Sequence, residues 1–374
     1  MIRLSKACLS SAEKASVLDV LDREYLGMGK DVQEFERKLS EYFGRPAVCV
    51  VNGTAALHLA CQSVGLGAGD EVLVQSLTYV ATFQAISATG AKPVACDIDP
   101  RTLTLDWRDA ERRLTPRTKA VMPVHYAGGV GELAGIYDFA ARNSLRVVED
   151  AAQAFGTTYG GRAVGSFGDV ACFSFDGIKN ITCGEGGCIV TDDEHALAVL
   201  RDARLLGVER DTERRYAGER SWAFDVTAQG WRYHMSNIMA AIGSAQLARF
   251  PAFATRRKEL SARYDARLAA HPRVCAIQRD PECVVPHIYV VRVLGLCDRE
   301  GLRADLSDRG IQTGVHYQPN HQLTRFRDEI ALPFPATDEV YPELVTLPLH
   351  ADLQDSDVDF VCDTLTSQLD TVKY

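Results

Sequence analysis

Lys179 lies in the stretch CFSFDGIKNITCGEGGCIV, between the short apolar runs Ala171-Cys172-Phe173 and Cys188-Ile189-Val190. Gly184-Glu185-Gly186-Gly187 supplies turn chemistry between those runs, so the stretch reads as strand, loop, strand. A lysine with apolar strands on both sides is partly desolvated, which lowers its pKa and makes the amine usable for Schiff-base chemistry. A surface lysine on a hairpin loop fits the same segment. Two features upstream bear on the choice. Arg146-Val147-Val148-Glu149 reads as a strand that ends in Asp150, where open α/β sheets bind their ligands. The apolar run Ala47–Val51 ends at Asn52-Gly53-Thr54-Ala55-Ala56 and continues into the helical pattern ALHLACQSV. A strand, a glycine turn and a helix N-terminus in that order present backbone N–H groups and a positive dipole end to an anion. Thr54 is also an ordinary N-cap candidate.

A lysine, an acid at a strand end and an anion site together suit pyridoxal phosphate. That cofactor needs an amine for its aldehyde and an acid to keep its ring nitrogen protonated. Gly65-Leu66-Gly67-Ala68-Gly69 follows a helix and precedes a strand, the reverse of a dinucleotide fingerprint, and reads as a helix-ending turn.

Strands are expected at 71–75, 93–97, 119–123 and 145–149, with helices at 79–89, 105–114, 131–143 and 193–205. Alternation of this kind, with near-continuous apolar strands, predicts a mostly parallel sheet covered on both faces. Residues 10–43 read as largely helical. Residues 235–271 read as one or two long helices interrupted at Pro251. Beyond them come a strand at 288–293, a helix at 300–309, a short strand at 313–317 and a last helix at 356–371. Residues 1–249 are expected to form a large cofactor-binding domain and 250–374 a smaller α/β domain. The charge-dense run 207–222 reads as a solvated loop able to cover a site.

A chain of 374 residues with 46% hydrophobic content can bury a sizeable core. Its net charge of -9 argues against nucleic acid or an anionic membrane as partner. It has no apolar run of the roughly 18–20 residues that a span needs. The first residues lack the apolar centre of a secretion signal. The 11 cysteines show no metal-ligand spacing, and Cys49, Cys96, Cys172 and Cys188 fall in apolar runs as small hydrophobes, so a reduced cytoplasmic setting without metal is expected.

From about Gly29 to Leu349 the chain resembles the fold-type I, pyridoxal-phosphate-dependent sugar aminotransferases of the DegT/DnrJ/StrS family. The likeness rests on GKDVQEFERKLSEYFG, NGTAALHLA, GDEVLVQSLTYVATFQAI, VEDAAQAFG, GSFGDVACFSFDGIKNITCGEGG, MSNIMAAIGSAQL and GVHY taken together. The resemblance implies that Lys179 holds the cofactor and moves the proton between cofactor and substrate carbon. It implies that Asp150 pairs with the ring nitrogen, Gln153 contacts the ring hydroxyl and Tyr79 stacks on the ring. The Thr54 and Ala55 amides, with the Ser174 hydroxyl, would hold the phosphate. Gly186 and Gly187 would let backbone pass close to the cofactor, or simply make a turn. Tyr79 also suits a core tyrosine of helix 79–89. His316 and Tyr317, in GVHYQPNHQLTRF, match a segment that approaches substrate, and His321 lies nearby.

Many members carry Gly-Tyr-Asn-Tyr-Arg before the Met-Ser pair, with the Asn reaching a neighbouring subunit's phosphate. This chain has Gly230-Trp231-Arg232-Tyr233-His234. Arg232 suits a phosphate, bound bidentately, or a substrate diphosphate or carboxylate. The family implies L-glutamate as donor, a keto-sugar (nucleotide-linked, aminated at C4 or C3) as acceptor, and a homodimer with shared sites. Three alternatives stand beside this reading. One is a sugar dehydratase, although such relatives replace the lysine with His. Another is a transaminase for a keto-sugar acid without nucleotide, its carboxylate paired by Arg232 and His316. The last is a ligand sensor without chemistry.

Overall fold

The computed structural model describes residues 1–208, 225–327 and 332–371. Most of the charge-dense run expected as a covering loop lies outside them. Five apolar runs form β1 (Ala47–Val50), β2 (Glu71–Gln75), β3 (Lys92–Cys96), β4 (Thr118–Met122) and β5 (Arg146–Asp150). A small hairpin, β6 (Thr158–Tyr159) and β7 (Arg162–Ala163), precedes β8 (Val170–Ser174) and β9 (Gly187–Thr191). The seven long strands make one sheet in the order β1-β9-β8-β5-β4-β2-β3. Neighbours run parallel except at β9, which is antiparallel to both β1 and β8.

Strand side chains alternate between faces. Val72, Val74, Ala120, Met122, Val148 and Cys172 share one core with α3 (Gly53–Ser63), α4 (Val80–Ala88) and a later helix, Glu194–Ala203. On the opposite face Leu73, Val121 and Val147 meet α5 (Trp107–Arg112) and α6 (Leu133–Arg142). Cys49, Ala171, Phe173 and Cys188 pack with the helix Lys30–Phe43 in a further cluster. The thiols of Cys49, Cys96, Cys172 and Cys188 are buried, and burial pushes each of them up.

The helical stretch expected over 10–43 is two helices, α1 (Ser11–Asp22) and α2 (Lys30–Phe43). The first opens on a capping box between Ser10 and Glu13. The 235–271 region is one 32-residue helix, Asn237–Leu268, that passes through Pro251 without a break. Proline costs that helix an N–H and crowds the preceding turn. Buried Phe250 and Phe253 on either side hold the turn against the large sheet, so tertiary packing overrides the local signal.

The helix leads into a second sheet, β10 (Val274–Ala276), β11 (Tyr289–Val293) and β12 (Leu344–Leu347), antiparallel in that order. The expected strand at 313–317 is absent, and only Gly314 bridges Thr346. β12 was not expected from sequence because its four residues lie between Pro342 and Pro348 and read as turn. Arg299–Asp308 and Asp355–Thr371 cover this sheet. No helix among the described residues is long and apolar enough to cross a membrane.

An aromatic cluster underlies the carboxyl ends of β5 and β8. Phe155 stacks on Tyr42 at 5.0 Å and meets Phe173, Phe175 and Phe250 edge-on at 5.9, 5.9 and 4.9 Å. Both loops that follow those strands are therefore anchored to one ring. Phe155→Ala should lower stability by roughly 3–5 kcal/mol, read as a fall in the urea midpoint.

Candidate active site

Parallel strands bring their carboxyl ends to one edge, and Asp150 is the last residue of β5. It is buried, its Oδ2 accepts from the Thr82 hydroxyl at 2.8 Å, and its Oδ1 accepts from the Ala152 amide at 3.2 Å. Burial raises its pKa, against the pull of those two donors and of Lys179 and His125. Just behind it, His125 Nε2 contacts Glu149 Oε2 at 2.6 Å and the Tyr137 hydroxyl donates to the other Glu149 oxygen. This buried group braces the end of β5 against that of β4.

The anion cradle is built where β1 enters α3. Asn52, not Thr54, is the N-cap: its Oδ1 accepts from the Ala55 amide at 2.8 Å. The amides of Gly53 and Thr54 have no hydrogen-bond acceptor among the described residues. Ser174, at the end of β8, abuts this turn so closely that a Cβ on Gly53 would sit 2.8 Å from its Cβ. Glycine is required there for close approach. Ser174, far along the chain, thus comes to the same turn as Thr54 and Ala55.

Lys179 stands in the loop between β8 and β9, half-buried. Its neighbour Asn180 fixes the loop by donating from Nδ2 to the carbonyls of Phe155 (3.0 Å) and Val285 (3.3 Å). The lysine Nζ lies 3.4 Å from His287 Nε2. Removal from water lowers its pKa, while the charges of Asp150 and Asp176 oppose that shift.

The segment before β12 brings His316 and Tyr317 to the same edge. His316 Nδ1 is 2.8 Å from the Thr346 hydroxyl, and the Tyr126 hydroxyl donates to the His316 carbonyl. Burial, and then the Lys179 charge, hold His316 down at about 4. The Gln153 amide donates to the Tyr317 hydroxyl at 3.2 Å, and its Oε1 accepts from the Ala127 amide at 2.8 Å. Tyr79 is 58% exposed at the N-cap position of α4, with its ring 5.5 Å from that of Tyr317.

Two candidates lie apart from this group. His321 bonds Ser76 at 2.7 Å and Asp338 at 3.0 Å and stacks on Phe334, as a satisfied structural histidine does. Arg232 is exposed on a segment that bridges Leu205, and no described contact joins it to Lys179. Sequence reasoning missed His287, His125 and Asn52. The Asn-Gly pair before a helical pattern was the only local signal for the cap.

A desolvated amine, a buried acid at a strand end, a glycine cradle with free amides beside a hydroxyl, and an exposed aromatic ring fit a cofactor carrying an aldehyde, a ring nitrogen and a phosphate. Comparisons with known proteins agree. A model of the DegT/DnrJ/EryC1/StrS aminotransferase family matches residues 7–366. Among solved structures, the aminotransferase TlmJ from Streptoalloteichus hindustanus is 34% identical over 99% of each chain, with a TM-score of 0.91. The PMP form of Spr1654 from Streptococcus pneumoniae is 31% identical over 98% of each chain, with a TM-score of 0.92. The sugar aminotransferase CalS13 from Micromonospora echinospora is 32% identical over 98% of this chain and 100% of its own, with a TM-score of 0.90. The chain belongs to the DegT/DnrJ/EryC1/StrS family and has its fold-type I architecture, which makes it a pyridoxal-phosphate-dependent sugar aminotransferase.

Proposed function

We propose that this enzyme moves an amino group from L-glutamate to a keto-sugar carried on a nucleotide diphosphate, by a ping-pong cycle, with C4 favoured over C3 as the aminated carbon. The observation that carries the reading is the Lys179 amine, half-buried between Asp150, His287 and His316 at the carboxyl edge of the sheet. Pyridoxal phosphate, when bound, supplies the aldehyde and a protonated ring that stabilises negative charge at the substrate carbon.

The chain's own residues do the rest. Lys179, its pKa lowered, has more free amine near neutral pH than an exposed lysine and takes and returns the proton at the substrate carbon. Asp150 would pair with the ring nitrogen, where a cationic partner would favour its ionised form. With the cofactor bound, Gln153 would contact the ring hydroxyl, Tyr79 would cover the ring face, and Thr54, Ala55 and Ser174 would hold the phosphate. The Gly53 amide joins that cradle. His316 and Tyr317 contact the sugar. Arg232, exposed and cationic, takes the substrate diphosphate or a partner subunit's phosphate. Leu18, Leu21, Tyr25 and Leu26, all exposed on or just after the first helix, support a homodimer. The same proposal takes residues 250–374 as the smaller domain, joined to the larger through the long helix, and places the enzyme in the cytoplasm.

The test is multiple turnover with L-glutamate and either a nucleotide-linked 4-keto-sugar, its 3-keto isomer, or a free keto-sugar acid. Only the nucleotide-linked acceptors should be aminated; preference for the free acid would overturn the nucleotide assignment. Lys179→Ala should cut turnover at least about 100-fold while thermal unfolding stays near that of the parent. An active variant would remove the lysine from its role.

His316 supports a pH prediction. The unfolded chain protonates this side chain as pH falls through 6.5, but the folded chain does so only near 4. Stability is therefore lost as pH falls across that window. His316→Gln should remove a share of that loss on the order of 3 kcal/mol, seen as a smaller drop in urea midpoint between pH 7 and pH 4.5.

A further inference from the structure

His287 enters the site from the loop that leads into β11, two residues before that strand, and no role is assigned to it above. It is buried, and its backbone is held at both ends. Its N–H donates to the Ala127 carbonyl at 3.3 Å, and its carbonyl accepts from Arg257 Nη1 at 3.0 Å. Arg257, buried on the long helix, also donates to the carbonyls of Pro286 (3.3 Å) and Leu349 (3.4 Å). The ring can therefore offer Nε2 to the Lys179 amine at 3.4 Å with little freedom to turn away.

The other ring nitrogen decides which way that contact runs. His287 Nδ1 is buried with no hydrogen-bond partner among the described residues. A neutral imidazole carries one proton. If Nε2 accepted from a lysine ammonium, the proton would sit on Nδ1 as a buried, unpartnered N–H, which is rarer than an unpartnered acceptor. With the proton on Nε2, the N–H donates to the amine lone pair and Nδ1 is left only an unused acceptor. The charged groups agree. His287 faces Lys179 from the β8–β9 loop, Arg257 from the long helix and His316 from the segment before β12, and no carboxylate among the described residues opposes them. Burial first, and then the fixed Arg257 cation, disfavour an imidazolium. Lys179 itself also faces Asp150 and Asp176, which favour its charged form. A donor to its lone pair works against those two carboxylates.

We infer that His287 is a positioning residue for Lys179: as the Nε2–H tautomer it donates to the lysine amine, holding it unprotonated and in place. The inference rests on Lys179 being the reacting amine.

The test uses holoenzyme reconstituted with pyridoxamine 5'-phosphate, in which Lys179 carries no cofactor. Competitive acetylation with acetic anhydride across pH, read by mass spectrometry at Lys179, gives the midpoint of its titration. His287→Leu should raise that midpoint by about one unit, a tenfold loss of free amine at a given pH. His287→Gln, whose amide reaches the Nε2 position, should restore most of it. A midpoint that stays put in His287→Leu, or falls, would overturn the inference, since a fall means that His287 accepts from the ammonium. Should the Leu variant misfold, 15N NMR of the parent ring decides instead: an Nε2–H tautomer is expected, and Nδ1–H would sink the idea. Neither readout needs turnover, so failure to aminate any keto-sugar would leave both results interpretable.

Discussion

The candidate site turns on the partial removal of one amine, Lys179, from water. A lysine in water is an ammonium ion at neutral pH and no base at all; removing its hydration is what makes it one. No single element can do this. The β8–β9 loop carries Lys179, β5 contributes Asp150, and the approach to β11 and the segment before β12 contribute His287 and His316. Desolvation is opposed by Asp150 and Asp176, so the state of the amine is a balance that small displacements of these walls would tip.

The sheet topology decides which residues meet at the site. Parallel strands place Asp150 and Ser174 at one edge, next to the start of α3. A further parallel strand after β8 would require a crossover of a dozen residues or more. Instead β9 returns antiparallel, so the loop from 175 to 186 stays at that edge and brings Lys179 within reach of the Asp150 charge. The one reversed strand in an otherwise parallel sheet thus fixes the edge at which the lysine stands. Phe155, beneath both loops, couples their positions through packing.

The long helix links the two sheets into one site. Its first half packs on the large sheet, and Arg257 in its second half ties down the carbonyls of Pro286, His287 and Leu349. Burial lowers the pKa of that guanidinium to about 10, still far above neutral, so it remains a fixed cation behind His287. A continuous helix through Pro251 keeps this arrangement stiff, which two shorter helices would not.

Local pattern determined much of this protein. Apolar runs of four or five residues with helical stretches between them specified most of the large sheet, because side-chain periodicity is written in neighbouring residues. Lys179, Asp150 and the turn before α3 were legible for the same reason: each sits at a strand end or helix start that the sequence marks. Other features were decided only in three dimensions. β10 and β12 are too short and too close to prolines to be read before they pair with β11. Pro251 stays helical because Phe250 and Phe253 are buried. Asn52 takes the cap that Thr54 could have taken, and Tyr79, which suits a core, is left exposed. His287 carried no signal at all, since a lone histidine beside an apolar strand looks the same whether it packs in a core or faces a lysine 108 residues away. Sequence records what each residue prefers from its neighbours; burial and long-range hydrogen bonding exist only once the chain has closed on itself.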